Sequence, residues 1–258
     1  MKLSLFVLAG AGIIALGFAA KNKSIDKRKE SVYVSGSFAP VTVLELFTSE
    51  GCSSCPPGDK LLPELIKLDS NIIALSFHVD YWNRLGWEDP FSSAAFSERQ
   101  RDYARQLHLE SVYTPQLIVN GEYELVGSSR SKAESTIKMA LKEKAQVKLT
   151  IDNVKMTNGK INFIVHSDGD FKKTDILAAV VQKQVTTNVK AGENSGAKLS
   201  HTNVVSTFSR QTAADKNEFE LELTESISKN NWQLIIYAQQ KNNLKITGAV
   251  LYNQAYTN

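Results

Sequence analysis

The chain has 258 residues, of which 42% are hydrophobic and 22% charged, enough for one large or two ordinary globular domains. Its 30 Lys and Arg residues are interspersed with 27 Asp and Glu residues, and the net charge of +3 argues against a nucleic-acid-binding surface. The sequence carries no G-x-S-x-G, H-E-x-x-H or P-loop motif, so the common hydrolase signals are absent, and no cofactor is expected.

The N-terminal segment differs in character from the rest of the chain. Lys2 precedes an uncharged run from Leu3 to Ala20, which ends in small residues, as in a secretory signal peptide. The run also reaches the lower length limit of a membrane-spanning helix, so an uncleaved anchor is the alternative. Residues 1–20 are therefore assigned to a signal peptide or anchor and residues 21–37 to a flexible lead. The protein is expected to be periplasmic or secreted, or held at the membrane by this segment.

Residues 38–146 alternate between strand and helix patterns. Val41 to Thr48 reads as a buried strand that leads to two cysteines, and the following leucines recur at helical spacing. Further strands are predicted at 72–78, 116–120 and 123–126, and further helices at 93–107 and after a capping box that begins at Ser131. The order β-α-β-α-β-β-α requires a sheet with parallel strands and helices on its faces.

From residue 147 onwards the pattern is that of strands alone. Seven runs alternate between apolar and polar residues, at 147–154, 160–166, 177–184, 202–208, 218–223, 233–238 and 245–251. Asn-Gly and Asp-Gly pairs separate several of them, as in β-hairpins. Residues 147–258 are therefore expected to form a β-sandwich, with a domain boundary near residue 146.

Cys52 and Cys55 are the only cysteines, and two residues separate them. As a structural crosslink this spacing contributes little, because closing a four-residue loop stabilises by about 2 kcal/mol, against about 3 kcal/mol for fifteen residues. A strand-to-helix turn, however, stabilises a thiolate. The pair is therefore predicted to be redox-active, with Cys52 attacking and Cys55 resolving the mixed disulfide. Pro56 and Pro57 predict that the regular helix begins at these residues, with Cys52 in the turn before it.

Three stretches, VTVLELFTSEGCSSC, YTPQLIVNG and GEYELVGSS, resemble the thioredoxin superfamily. More narrowly, LFTSEGCSSCPP, HVDYWNRLGWEDPF, VYTPQLIVNG and GENSGAKLSHTNVV resemble an uncharacterised family of secreted bacterial thioredoxin-like proteins. The resemblance implies an α/β thioredoxin-like domain at 38–146, ahead of the all-β, sandwich-like domain. It also implies a cis bond between Thr114 and Pro115, close to the cysteines, and a buried acid that shuttles a proton for Cys55. Glu45 in the first strand is the candidate acid, unless it reaches water at the sheet margin.

The remaining candidates lie where the resemblance places a substrate. His78, Asp80, Tyr81, Trp82 and Trp87 follow the second strand, at the sheet end where sites of this kind form. They are expected to form a substrate-facing wall together with Thr114, or else a loop packed on its own aromatic rings.

A stretch rich in Asn, Ser and Gly in the later part of the chain allows two interpretations. The stretch from Gly192 to Val205 is either a plain loop that runs into a strand or a segment that approaches the cysteines.

The function expected from these features is thiol–disulfide exchange with thiols or disulfides of cell-envelope proteins, assisted by an unidentified redox partner. Two other interpretations stay open. In one, the protein is a non-enzymatic interaction module with an inert disulfide. In the other it handles Cu(I) through two thiolates and His78, although the sequence supplies no fourth ligand for structural zinc.

Overall fold

The computed structural model describes residues 38–224, 227 and 231–253, so the predicted signal segment and lead lie outside the described residues. None of the helices in this part of the chain is long and apolar enough to cross a membrane. We refer to residues 38–146 as the first half and to residues 147–253 as the second half.

The first half has the predicted order of elements. They are β1 (Thr42–Thr48), α1 (Pro56–Ile66), β2 (Ile72–His78), a 3₁₀ turn (Asn83–Leu85), α2 (Ala94–Gln106), β3 (Gln116–Val119), β4 (Tyr123–Val126) and α3 (Arg130–Ala140). The predicted capping box at Ser131 is wrong. Helix α3 begins one residue earlier, and the residue at its N-cap is Ser129, whose side chain makes no capping hydrogen bond.

Strands β1 and β2 lie parallel at the centre of the first half, and β1 also pairs with the antiparallel β3. Every residue of β1 and β2 is buried, because helices cover both faces and the second half adds to the cover of one of them. This explains why both strands are nearly continuous apolar runs. Helices α1 and α3 pack on the face that carries Leu44 and Leu46. Helix α2 packs on the opposite face, which carries Phe47 and Phe77.

The second half contains only strands in its described residues, and all seven predicted strands are present. They are β5 (Val147–Thr157), β6 (Lys160–Gly169), β7 (Thr174–Asn188), β8 (Lys198–Thr212), β9 (Lys216–Glu222), β10 (Trp232–Gln240) and β11 (Ile246–Asn253). Asn158 and Gly159, which join β5 to β6, both have left-handed backbone conformations, with φ of 53° and 73°. This is the tight hairpin turn that an Asn-Gly pair favours.

One sheet crosses the expected boundary near residue 146. Its strand order is β11-β10-β7-β8-β2-β1-β3-β4, and β8 joins β2 in parallel where Val204 lies opposite Ser76. The three strands β5, β6 and β9 form a second layer, which packs through residues such as Phe163 on Ile236 and its neighbours. Joining β8 to β2 gives each of these strands a partner where it would otherwise present an unpaired edge. The two halves therefore share a sheet as well as a hydrophobic core.

Candidate functional site

The two cysteines lie between the end of β1 and the start of α1. Cys55 is the N-cap residue of α1, Pro56 is its first helical residue, and the carbonyl oxygen of Cys55 accepts hydrogen bonds from the backbone N–H groups of Gly58 and Asp59 at 2.8 and 3.1 Å. Cys52 lies in the preceding turn, which confirms the prediction drawn from the two prolines. The two sulfurs form a disulfide, with a Cα–Cα distance of 5.4 Å.

The loop before β3 lies against this turn and contains the expected cis bond between Thr114 and Pro115. Helix α1 approaches the loop closely at Gly58. A Cβ atom at Gly58 would lie 2.9 Å from the Cβ of Pro115, so only glycine permits this contact. The cysteine turn and the proline loop are therefore held together by direct packing.

A chain of hydrogen bonds ends at the sulfur of Cys52. The indole N–H of Trp82 donates to Thr114 Oγ1 at 2.8 Å, and the Thr114 hydroxyl donates to Cys52 Sγ at 3.1 Å. Ser54 Oγ lies 3.3 Å from the same sulfur, but its hydroxyl donates to the carbonyl oxygen of Thr114 at 3.1 Å. Within the described residues no such donor reaches Cys55 Sγ. Because a hydrogen-bond donor stabilises an anion, this arrangement favours a thiolate at Cys52 over one at Cys55.

Both cysteines are fully buried, although Ser53 between them is exposed. Part of their cover comes from the second half. The side-chain amide of Asn194 donates to the carbonyl oxygens of Glu50 and Cys52 at 2.8 and 2.9 Å, and the carboxylate of Glu193 accepts from the backbone N–H of Ser53 at 3.1 Å. The hydrogen bonds from Ser53 lower the pKa of Glu193. Of the two interpretations of the 192–205 stretch, the structure supports an approach to the cysteines.

Residues on either side of the cysteines in the chain contribute to a cluster of buried ionisable groups that the sequence did not predict. His201 of β8 lies between two carboxylates, with Nε2 at 3.3 Å from Glu50 Oε1 and Nδ1 at 3.4 Å from Asp59 Oδ2. Glu50 and His201 are fully buried, and Asp59 is 5% exposed. These contacts fall outside hydrogen-bond geometry, so the two imidazole nitrogens and the facing carboxylate oxygens retain unused hydrogen-bonding capacity. Burial alone would lower the pKa of His201, but the two carboxylates outweigh it and raise the pKa to about 10.

A second buried pair adjoins this cluster. His78 Nδ1 lies 2.7 Å from Asp89 Oδ2, and the ring of His78 lies edge-on to that of His201, with centroids 4.6 Å apart. Burial alone would raise the pKa of Asp89, but His78 and backbone N–H donors outweigh it and lower the pKa. Trp87 donates its indole N–H to Glu50 Oε2 at 2.8 Å. The side chain of His78, one of the predicted wall residues, is fully buried and faces Asp89 and His201 in the interior of the protein.

The other predicted wall residues divide into two groups. Trp82 and Thr114 contact the disulfide turn as described above. Asp80 and Tyr81 are turned towards α2 instead: the Asp80 carboxylate accepts a hydrogen bond from the Ser97 hydroxyl, and the Tyr81 hydroxyl donates to Gln100 at 3.1 Å. Burial raises the pKa of Tyr81. Of the predicted wall, the structure brings only Trp82 and Thr114 to the cysteines.

Glu45 lies on the face of the sheet that α2 covers, whereas Cys55 belongs to α1 on the opposite face. The Glu45 carboxylate accepts three hydrogen bonds from the Arg99 guanidinium, at 2.7, 3.0 and 3.0 Å. It also accepts one from the Tyr237 hydroxyl at 2.8 Å and one from the Tyr103 hydroxyl. Arg99 also lies over four aromatic rings of the core. Alternation along β1 explains the placement, because Leu44 and Leu46 on either side of Glu45 face α1 and α3. The partners of Glu45 are thus a buried cation and hydroxyl groups. The buried acidic residue whose backbone N–H bonds to the carbonyl oxygen of Cys55 is Asp59.

In the described part of the chain, no group of three or more His, Cys, Asp or Glu side chains is arranged to hold a metal ion. The residues that the sequence analysis missed left only weak signals. Asp59 follows Cys55 by four residues, one helical turn, and His201 lies inside the stretch GENSGAKLSHTNVV that carries the family resemblance.

Two solved structures resemble this chain along most of its length. The crystal structure of the protein AGR_C_4864 from Agrobacterium tumefaciens has 28% sequence identity and a TM-score of 0.64, and the match covers 86% of this chain and 98% of the other. HBP35 of Porphyromonas gingivalis has 15% identity and a TM-score of 0.64, with coverage of 87% and 80%, a likeness of fold alone. No functionally curated protein matches the chain. Residues 43–239 match the family described as "Protein of unknown function (DUF1223)", and the chain belongs to that family.

Proposed function

We propose that the protein is an exported thiol–disulfide exchange protein with a thioredoxin-like first half, acting on thiols or disulfides of cell-envelope proteins through Cys52 and Cys55. The observation that carries the proposal is the hydrogen bond from the Thr114 hydroxyl to Cys52 Sγ. The indole N–H of Trp82 donates to the same hydroxyl oxygen and holds it in place. An inert disulfide has no need of a donor aimed at one of its sulfurs, whereas an exchanging one needs a stabilised thiolate at the attacking position.

In the proposed reaction, a partner thiolate attacks Cys52 Sγ, the Cys52–Cys55 bond breaks, and Cys55 leaves as a thiolate that takes up a proton. A second thiolate of the partner then attacks the partner's own sulfur in the mixed disulfide. This releases Cys52 as a thiolate, so the partner gains a disulfide and the pair is reduced. The reverse sequence oxidises the pair and reduces a partner disulfide. Because both cysteines are fully buried, a partner must displace part of their cover, and the Glu193–Ser53 contact is the solvent-exposed part of it.

The central test is the reduction potential of the pair, measured by equilibration with glutathione. A reversible potential in the range of known exchangers, about −120 to −270 mV, is expected. A second experiment uses Cys55→Ser, which is expected to accumulate mixed disulfides with envelope proteins, and Cys52→Ser as the matched control, which is expected to accumulate none. A potential below about −300 mV, together with a Cys55→Ser protein that captures nothing, would establish an inert disulfide and an interaction module.

The location is tested separately. Export predicts that the protein fractionates with the periplasm, the envelope or the medium, with the apolar run either removed or embedded in the membrane. Recovery of the full-length chain with Met1 intact from the soluble cytoplasm would contradict it.

A further inference from the structure

The cluster of Glu50, Asp59 and His201 is costly to bury. Two carboxylates and an imidazole are withdrawn from water, yet their contacts of 3.3 and 3.4 Å are poorly aligned for hydrogen bonds. Buried charges of this kind stabilise a fold less than apolar side chains of similar size would. Clusters of perturbed ionisable groups are characteristic of functional sites. The cluster is therefore a candidate functional site, and the disulfide turn lies beside it.

Both acidic residues of the cluster are connected to the disulfide turn through their backbones. Glu50 precedes Cys52 by two residues, and the carbonyl oxygens of both residues accept hydrogen bonds from the same Asn194 amide. Asp59 follows Cys55 by one helical turn, and its backbone N–H donates to the carbonyl oxygen of Cys55. Residues four apart on a helix lie on the same face, so the side chains of Cys55 and Asp59 leave the start of α1 on the same side.

The surrounding charged groups come from several elements. His78 of β2 and Asp89 form the adjoining pair, and His78 presents its ring to His201. A groove between α1 and the start of β8 opens onto Asp59, with the exposed Lys60 and Lys198 among its lining residues. His201 is the cationic partner shared by Glu50 and Asp59, and the second half supplies it.

We propose that His201 is a positioning residue through which the second half sets the equilibrium between the disulfide and dithiol forms of Cys52 and Cys55. The inference rests on the proposed function and assigns to the second half a part in the redox chemistry. It requires no movement of the cluster, because the charges act through their proximity to the cysteine turn.

The direction of the effect follows from charge. A disulfide is neutral, whereas the reduced pair gains a negative charge when Cys52 ionises. A nearby cation therefore favours the reduced form, and a nearby carboxylate favours the disulfide. Removing the imidazolium leaves two carboxylates uncompensated and should shift the equilibrium towards the disulfide. Removing one carboxylate should shift it towards the dithiol.

The experiment equilibrates the full chain with mixtures of glutathione and glutathione disulfide near neutral pH. In this exchange, two glutathione thiols lose their protons and electrons and become one disulfide. The Cys52–Cys55 bond is reduced to two thiols, of which that of Cys52 then ionises. The oxidised fraction is read from mass shifts after alkylation. His201→Gln, Asp59→Asn and Glu50→Gln are compared with wild type. His166→Gln is the control, since His166 is about half exposed and pairs with Asp152 in the second half.

His201→Gln is expected to shift the equilibrium constant at least about threefold towards the disulfide, and the two carboxylate variants by at least a similar factor towards the dithiol. His166→Gln is expected to leave it unchanged. A merely structural role would shift the equilibrium constant of all three variants in the same direction or leave it unchanged. If the wild type exchanges with glutathione, either result overturns this inference and leaves the proposed function standing. If His201→Gln fails to fold, the carboxylate variants still test the predicted sign. A wild type that does not exchange with glutathione overturns the proposed function as well.

Discussion

The side-chain amide of Asn194 donates a hydrogen bond of 2.9 Å to the carbonyl oxygen of Cys52, so that a residue of the second half holds the turn that carries the disulfide. The same amide also bonds the carbonyl oxygen of Glu50. The accessibility of the disulfide therefore depends on a segment that lies outside the half of the chain in which the cysteines are found.

Asn194→Ala is expected to make the disulfide easier to reduce. The change removes two hydrogen bonds that hold the 192–197 segment on the turn, and reduction by dithiothreitol in native conditions should accelerate roughly tenfold. Ser195→Ala is the matched control, because the neighbouring hydroxyl bonds only to the carbonyl oxygen of Lys190 in the same segment. Equal reduction rates for the two variants would show that this segment does not limit access.

Thr114→Val is expected to raise the pKa of the Cys52 thiol in the reduced protein. The change keeps the shape of the side chain but removes the hydroxyl that donates to Cys52 Sγ. Loss of one hydrogen bond to a thiolate corresponds to about one pKa unit or more. The pKa is measured from the pH dependence of iodoacetamide alkylation. Thr114→Ser keeps the hydroxyl and should retain the wild-type value, and a Thr114→Val profile that overlays the wild type would exclude this hydrogen bond as the activating contact.

Arg99→Met is expected to destabilise the whole protein. Arg99 is almost fully buried and neutralises Glu45, so its loss leaves a carboxylate uncompensated in the core, at a cost of about 3–5 kcal/mol. Arg101→Met on the same helix removes a half-exposed ion pair with Glu98 and should cost about 1 kcal/mol or less. Urea unfolding curves measure both. Similar losses for the two variants would contradict the importance assigned to the buried pair.

Stability is expected to fall as the pH rises above neutrality. The pKa of His201 is raised from about 6.5 to about 10 in the folded protein, so the folded state binds the imidazole proton more tightly than the unfolded state. This contribution is fully present below pH 6.5 and is lost as the pH rises through about 10. Chemical unfolding between these values should show the decline in wild type and a smaller one in His201→Gln. Parallel profiles would mean that His201 is not held as a cation.

A fragment of residues 38–146 is expected not to fold on its own. It lacks Tyr237 and Gln239, which bond to Glu45 and Arg99, and it exposes the sheet face around Phe77 that the second half helps to cover. A fragment of residues 38–253 should unfold cooperatively, as judged by circular dichroism during heating. A cooperative transition in the shorter fragment would instead support the separable domains that the change in sequence pattern predicts.

Local patterns predicted the elements well, because they depend on residues close together in the chain. The run Ile72 to His78 matches β2 to the residue, since a strand buried on both faces is continuously apolar. The cis bond before Pro115 follows from the family resemblance and not from a local pattern. The side of the sheet that Glu45 faces follows from alternation along β1, but which helix covers that side depends on the connection between elements, and the sequence does not reveal it.

The buried cluster escaped the sequence analysis for a similar reason. His201 comes more than a hundred residues after Glu50 and Asp59 in the chain. It reaches them because β8 pairs with β2 where Val204 lies opposite Ser76. Hydrophobic periodicity identifies β8 as a strand but says nothing of its neighbours in the sheet. The apolar pattern of each half is sufficient for a separate domain. It therefore gives no sign that β8 and β2 pair and join the two halves in one sheet.

The disulfide joins residues only three apart in the chain, whereas the Asn194 amide that covers it comes 142 residues after Cys52. Short loops close early and at little entropic cost, while contacts between distant segments form late. A newly made chain therefore presents its two sulfurs to the surrounding thiols and oxidants before the cover exists. In the folded protein the two sulfurs become accessible again only where a partner displaces that cover.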